Sequence, residues 1–218
     1  MAILGSMIDH LVITASKLEE GQRFTTKVLG VALQKGGEHA RMGTHNALLG
    51  LGETIYLEVI APNPRAPRPE RMRWFNLDRL EPASAPRLAT WVVRTYDIRH
   101  AVASCTESLG KVENMSRGDL KWSITIPEDG NLVLDGVAPA LIEWSSKPHP
   151  AKNLINSECS LIQLEIHHPE PTRIQALLRS IDLRENVQIF PIPASDRPYL
   201  IAKINTPGGI AELNGKLE

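Results

Sequence analysis

Two residues whose side chains could do chemistry stand in segments that otherwise resemble buried strands. Alternation along a strand places His10 with Ile8 and Val12 on one face, and Glu58 stands likewise within residues 56–60. An imidazole and a carboxylate are costly to bury unless they are paired or coordinated. The sequence therefore indicates either a metal site for zinc, iron, nickel or manganese or a buried hydrogen bond between the two residues. On the strands alone, the hydrogen bond is the simpler interpretation.

A second carboxylate, Glu143, stands 85 residues after Glu58 in a short apolar segment of the same kind. We therefore expect His10, Glu58 and Glu143 to converge on one cleft. Like charges held close together in a poorly solvated cleft raise one another's pKa. Such a site needs a divalent cation, a shared proton or a hydrogen-bonded ligand to be stable.

Five further residues are candidates for the wall of a small-molecule pocket. Alternation gives two polar residues one strand face, and three tryptophans could line a flat apolar cavity of the kind that small ligands prefer. The alternative for each tryptophan is ordinary core packing. The five residues are Thr44, Asn46, Trp91, Trp122 and Trp144.

The elements that must position these side chains occur twice along the chain. Gly30 and Gly110 each follow a leucine at the end of a predicted helix and are 80 residues apart, and His10 and Trp91 are 81 apart. Landmarks in the same order at nearly constant spacing indicate a repeat. The predicted organisation is an expression scar over 1–6, a βαβββ module over 7–60, a connector rich in proline and arginine over 61–88, a second βαβββ module over 89–148, and a partial third module over 149–218.

Composition narrows the class of protein. The 218 residues carry a formal net charge of −1, which argues against nucleic acid as a partner. No apolar run has the roughly 18 residues that a membrane span needs, and the N-terminus has no signal-peptide pattern, so a cytoplasmic location is expected. The two cysteines, Cys105 and Cys159, make no disulfide framework. The five arginines within residues 65–79 are interpreted as a solvated connector.

Several short runs resemble the glyoxalase-like branch of the vicinal oxygen chelate superfamily, which includes glyoxalase I, extradiol dioxygenases, epimerases and bleomycin-resistance proteins. The resemblance covers nearly the whole of residues 7–215 and is more specific for the fold than for the reaction. The runs of the first half are DHLVI at 9–13, GGEH at 36–39, GTHN at 43–46 and YLEVI at 56–60. Those of the second half are LATW at 88–91, RGD at 117–119, LKW at 120–122 and IEW at 142–144.

The resemblance implies an α+β fold in which tandem βαβββ modules form a U-shaped cleft of mixed β-sheet. Metal-dependent members take ligands from the first and last strand of each module, and these positions hold His10, Glu58, Trp91 and Glu143 here. Three of the four can bind a divalent metal, and tryptophan cannot. In that family pattern Glu58 and Glu143 are the candidate catalytic residues, because a free carboxylate would move the proton.

Two classes of function follow. The first is a lyase, isomerase or dioxygenase that acts on a small oxygenated substrate with a divalent metal and no organic cofactor. The second is a metal-free protein that binds or sequesters a ligand, as the antibiotic-binding relatives do. In both, the partner is a small molecule rather than a nucleic acid or a membrane, and a homodimer is left open.

Overall fold

Strands and helices follow one another in the strand–helix–strands order of the sequence repeat. This computed structural model describes residues 5–185 and 187–217. The strands are β1 (Met7–Thr14), β2 (Gln34–His39), β3 (Thr44–Gly50), β4 (Tyr56–Pro62), β5 (Arg87–Arg94), β6 (Lys111–Arg117), β7 (Leu120–Ile126), β8 (Ala140–Trp144), β9 (Ser160–His168), β10 (Gln188–Pro191), β11 (Tyr199–Thr206) and β12 (Gly209–Asn214). The α-helices are α1 (Leu18–Leu29), α2 (Ile98–Ser104) and α3 (Pro171–Ser180). In this described part, no helix combines the length and the apolar character that crossing a bilayer requires.

Local signals account for where the helices begin and end. Helix α1 stops at Gly30, whose φ of 69° is left-handed and whose N–H donates to Thr26 O at 2.8 Å. Glycine takes this conformation without the steric cost that a Cβ brings. Helix α2 starts at Asp97, whose carboxylate accepts from His100 N at 2.9 Å. The strands before these helices, β1 and β5, are apolar and buried along most of their length.

Eight strands form one mixed sheet in the order β2-β3-β4-β1-β5-β8-β7-β6. Strands β1 and β5 pair antiparallel at its centre, while β1 and β4, and β5 and β8, pair parallel. Each half therefore repeats the same connection on either side of the central pair. The sheet curls into a half-barrel with a concave face, which confirms the predicted α+β fold of tandem βαβββ modules around a cleft.

The C-terminal segment forms a separate four-stranded sheet in the order β10-β9-β11-β12. Its element order, one strand, one helix and three strands, is that of the predicted partial third module. Its sheet order differs, because β9 pairs with the strand that follows the helix rather than with the last strand of the unit. The segment packs on the convex face of the large sheet, where Leu200 and Ile166 share one core with Leu11 and Trp91.

The N-terminal residues bear on the predicted expression scar. Met1–Leu4 lie outside the described residues. Ser6 is buried, its N–H donates to Asp182 O at 2.9 Å, and its carbonyl accepts from Arg184 N at 2.9 Å. The residue just before β1 is therefore tied to the C-terminal segment.

The connector between the two halves closes over the concave face. Trp74, Phe75 and Leu77 are buried there against residues of both halves. Two of its arginines are not merely solvated, which corrects the prediction for this cluster. Arg71 pairs with Glu113 of β6 at 2.5 Å, and Arg73 pairs with Asp78.

The mouth of the cleft carries a second contact to Glu113. Arg41, in the turn after β2, forms an ion pair with Glu113 and donates to Asn114 O at 3.0 Å. Strands β2 and β6 are the two outer strands of the sheet. The half-barrel is therefore bridged across its open side by charged side chains.

Candidate functional site

A small cavity lies on the concave face, under the connector. Its free volume of about 30 Å³ is room for about two water molecules. Most of the wall is aromatic or aliphatic, with a few polar groups converging on it. The lining residues are His10, His39, Asn46, Leu48, Tyr56, Glu58, Trp74, Phe75, Arg117, Trp122, Ile124, Ile142 and Trp144.

His10 and Glu58 face each other across this cavity from the neighbouring strands β1 and β4. Both are nearly buried, with 4% and 6% of their surface exposed. His10 Nε2 lies 3.6 Å from Glu58 Oε2. This distance is too long for a hydrogen bond but close enough for strong electrostatic coupling. The imidazole also stacks on Tyr56, with ring centroids 4.5 Å apart.

Asp9 holds the other side of the His10 ring. The pairing of β1 with β5 shifts register between Ile8 and His10, so Asp9 is an extra residue in β1. The shift turns its carboxylate toward the cleft, and Oδ1 lies 2.7 Å from His10 Nδ1. It also moves Ile8 to the convex core, away from the face shared with His10 that alternation predicts. Strict alternation assigns Asp9 to the opposite face, which is why the sequence prediction missed it.

Asp9 is a fully buried carboxylate with several donors. Its Oδ2 accepts from Trp144 Nε1 at 3.0 Å and lies 2.9 Å from His149 Nε2, and Arg94 is 3.6 Å away. Burial alone would raise the pKa of Asp9, but the hydrogen bonds to His10 and His149 hold it well below its usual value. Because the carboxylate is charged, it favours the tautomer with hydrogen on His10 Nδ1. The lone pair of Nε2 then faces Glu58.

A second polar chain leads from Glu58 to the outer strand β6. Asn46 Nδ2 donates to Glu58 Oε1 at 2.5 Å, and Asn46 Oδ1 accepts from Gly37 N at 2.7 Å and from Arg117 at 3.2 Å. Arg117 also lies 3.3 Å from His39 Nε2. The other ring nitrogen of His39 is 3.0 Å from Thr44 Oγ1. Asn46 thus lines the cavity, while Thr44 contacts His39, which also lines it.

The three candidate tryptophans divide between the two faces of the sheet. Trp122 and Trp144 line the cavity, with ring centroids 5.4 Å apart. Trp91 does not. It is fully buried in the convex core, and its Nε1 donates to Val137 O at 2.9 Å. The residue opposite His10 in the β1–β5 ladder is Val92, so the prediction of Trp91 as a pocket residue is corrected.

Glu143 also lies on the far side of the sheet. Trp144 occupies the cavity face of β8, so the residue before it points the other way, and Glu143 Oε2 accepts from Ile98 N at the start of α2 at 2.9 Å. The predicted convergence of Glu143 with His10 and Glu58 is not formed. The carboxylate completes the N-terminus of α2 instead.

Strand register explains the misplacement. Val12 pairs with Glu58 in the first half, and the equivalent β5 residue, Val92, pairs with Ala140 in the second. The structural equivalent of Glu58 is therefore Ala140. By the same superposition of β1 on β5, whose ranges are 80 residues apart, the equivalent of His10 is Thr90.

The residues of the cleft do not fit the divalent metal that the family pattern implies. Of the four positions of the family pattern, only those of His10 and Glu58 hold a usual metal ligand, since Thr90 and Ala140 fill the other two. His10 Nδ1 is held by Asp9, and one oxygen of Glu58 is held by Asn46. No three His, Cys, Asp or Glu side chains converge as a ligand set in residues 5–185 and 187–217. A zinc, iron, nickel or manganese centre built from this set lacks at least one ligand.

The position of Glu143 predicts a structural effect. Glu143→Ala should lower the free energy of unfolding by about 1 kcal/mol, because Ile98 N–H loses its acceptor at the helix N-terminus. Urea denaturation of the variant and of the exposed-site control Glu53→Ala measures the difference. Equal stability of the two variants would contradict this role.

The buried His39 predicts an acid-dependent loss of stability. Burial, helped by the nearby Arg117 cation, lowers the pKa of His39 to about 3. A histidine in the unfolded chain has a pKa of about 6.5. Below that pH, the unfolded state therefore binds a proton at His39 that the folded state does not bind. Stability should therefore fall as pH falls, by about 2–3 kcal/mol between pH 6.5 and 4.5.

Chemical denaturation at several pH values would measure this slope for the unmodified chain and for His39→Gln. The variant cannot protonate at this position and should show a flatter slope. Ionised Asp9 contributes only at lower pH, since an unfolded aspartate titrates near about 3.9. An unchanged slope in His39→Gln would rule out His39 as the source.

Comparison with known proteins gives one family and several structures of the same fold. The family model described as a glyoxalase-like domain matches residues 8–181. No curated protein matches the chain. A hypothetical protein from Staphylococcus aureus superposes with a TM-score of 0.56 at 14% identity, over 98% of this chain and 86% of that one.

Methylmalonyl-CoA epimerases are also similar, more remotely. The Streptomyces coelicolor enzyme in complex with 2-nitronate-propionyl-CoA has a TM-score of 0.45 at 15% identity, over 66% of this chain and 100% of its own. The Mycobacterium tuberculosis enzyme has a TM-score of 0.43 at 15% identity, over 67% and 90%. At such identities, the likeness concerns the fold.

Proposed function

The chain belongs to the glyoxalase-like domain family of the vicinal oxygen chelate superfamily, and we propose that it is an isomerase or lyase that moves a proton on a small oxygenated molecule. The observation that carries the proposal is the pair formed by His10 Nε2 and Glu58 Oε2, 3.6 Å apart and nearly buried in the wall of the cavity. The second heteroatom of each side chain is held by Asp9 or Asn46. His10 Nε2 and Glu58 Oε2 are thus the two atoms that remain free to contact a ligand in the cavity.

In the proposed reaction, Glu58 is the general base. Its carboxylate takes a proton from a carbon next to a carbonyl, and the electron pair of the C–H bond moves onto the carbonyl oxygen as an enolate. Arg117 is the cation that lines the same cavity, and it stabilises this developing negative charge. Return of the proton from His10 to the other face of the planar enolate carbon gives an isomer. Where a neighbouring group leaves with its bonding electrons while the enolate pair forms a C=C bond, the result is a lyase product.

His10 serves as the partner that accepts the proton from Glu58. Its Nε2 carries the lone pair when Nδ1 donates to Asp9, and the Asp9 carboxylate stabilises the imidazolium that forms. The transfer leaves the charged imidazolium between the carboxylates of Asp9 and Glu58, which offset the cost of holding it out of water. No step requires a metal ion.

The experiment is an exchange assay in heavy water. The protein is incubated with a panel of short α-keto acids, β-keto acids and acyl thioesters, with and without EDTA, and deuterium at the carbon next to the carbonyl is measured by mass spectrometry. We expect exchange on at least one class, equal in the two conditions. Exchange that appears only after a divalent metal is added would contradict the metal-free route.

A ligand-binding protein is the second candidate, and the small size of the cavity favours it. Trp74 and Phe75 are buried between the two halves and line the cavity, so a ligand larger than water requires them to move. Ligand binding without deuterium exchange in the same panel would support this candidate over the enzyme.

A further inference from the structure

A second cavity lies on the same concave face, beside the first. It has about 20 Å³ of free volume and is mostly apolar. Its walls include Thr90, Ile126, Leu132, Ala138 and Ala140. Thr90 and Ala140 are the structural equivalents of His10 and Glu58, so the second half repeats the position of the first site without its acid and base.

Trp74 and Phe75 separate the two cavities, since both residues line both of them. Phe75 and Asn76 have φ angles of 56° and 61°. Consecutive left-handed residues that are not glycine are strained, and a bulky aromatic residue is a rare occupant of that region. The indole N–H of Trp74 is buried without a hydrogen-bond acceptor in the described part of the chain. The position of Trp74 and Phe75 therefore costs free energy, because the backbone is strained at Phe75 and Asn76 and the indole N–H of Trp74 has no acceptor among the described residues.

The two cavities differ in charge. Arg117 lines the first, and its side-chain partners are the neutral groups of His39 and Asn46. No carboxylate within residues 5–185 and 187–217 forms an ion pair with it. A cation with spare donors in the wall of a cavity suits an anionic or carbonyl oxygen. The second cavity suits a hydrocarbon.

We infer that the cleft takes an unbranched aliphatic acid or its acyl derivative, with the oxygen-bearing head in the first cavity and the alkyl tail in the second. This inference names the substrate class of the proposed enzyme and, for the head, rests on that proposed function. Trp74 and Phe75 move out of the partition position when the tail enters. Strands β4 and β8, which carry Glu58 and Ala140, are three strand spacings apart, about 14 Å, so a medium-length chain spans both cavities.

The test is calorimetric titration of the full chain with butyrate, hexanoate, octanoate, decanoate and dodecanoate. Affinity should rise about fourfold for each methylene that reaches the second cavity. Ala140→Leu should weaken decanoate binding by about tenfold, because the added side chain fills the tail cavity. The loss should be smaller for hexanoate, whose tail is shorter. Equal affinity for all chain lengths, or binding of none, overturns the inference.

A second measurement tests whether the tail lies beside Trp74, with a conservative replacement of that residue. Undecanoate with bromine on its terminal carbon should quench the fluorescence of Trp74, since bromine quenches a tryptophan that it touches. Trp74→Phe removes that part of the quenching while binding persists. Arg117→Gln should weaken decanoate by about tenfold through loss of the charged hydrogen bonds. Equal quenching in Trp74→Phe would place the tail elsewhere and overturn the inference.

The outcomes separate this inference from the proposed function. Deuterium exchange on short keto acids, without any gain from longer chains, leaves the enzyme and removes the alkyl site. Binding that follows chain length, without exchange on any keto acid or thioester, leaves the alkyl site and removes the enzyme.

Discussion

Glu58→Gln is expected to lower the rate of deuterium exchange by about a thousandfold, within the range of 10²–10⁴ that general base catalysis contributes. The amide has nearly the shape of the carboxylate and can still accept from Asn46, so the cavity keeps its form. It cannot take up a proton at neutral pH. The loss should appear in the rate at saturating substrate, with ligand binding largely retained.

The matched control for this variant is Glu212→Gln, which makes the same chemical change on the exposed side of β12. It should exchange at the rate of the unmodified protein. Thermal unfolding of both variants checks that the fold is intact. A Glu58→Gln protein that exchanges as fast as the control would remove Glu58 as the base.

Asp9→Asn should destabilise the protein by about 3–5 kcal/mol, the usual cost of removing one partner from a buried set of charges. Asp9 is fully buried and contacts His10, His149 and Arg94. The neutral amide leaves Arg94 without its carboxylate. It also no longer fixes which nitrogen of His10 carries hydrogen, so the exchange rate should fall as well.

Urea denaturation at pH 7 measures the stability loss, with Asp196→Asn as the control because Asp196 is exposed. The charge of Asp9 stabilises the fold above the pKa of an unfolded aspartate, about 3.9, and this contribution is lost as pH falls further. The stabilities of Asp9→Asn and the unmodified chain should therefore converge in acid. A constant difference down to low pH would show that the charge is not what matters.

Much of the fold could be predicted from the sequence because the repeat is recognisable from its turn glycines and its strand residues. Gly30, which ends α1, and Gly110, which directly precedes β6, both have positive φ, and their spacing equals the 80-residue offset between β1 and β5. The His10–Trp91 spacing of 81 is one residue longer. In a strand, an error of one residue exchanges the two faces, so Trp91 was predicted for the cleft and Thr90 holds that position.

The candidate site was predictable only where strands are regular. Asn46 and Glu58 line the same cavity, and alternation serves for them because β3 and β4 pair without a register shift. Asp9 was missed because of the irregularity in β1. Arg117 was missed as a site residue because β6 is a polar outer strand whose sequence shows no apolar alternation. His149 reaches Asp9 from the segment after β8, and only tertiary structure brings them together.

The antiparallel pairing of β1 with β5 has a consequence for how the chain folds. The hairpins β2–β3 and β6–β7 join strands that are close in sequence, so they can form early and within each half. The central ladder joins residues about 80 positions apart, and it can form only once both halves exist; such non-local contacts slow folding. We therefore expect the two halves to reach the native state together, in one late cooperative step, rather than as independent folding units.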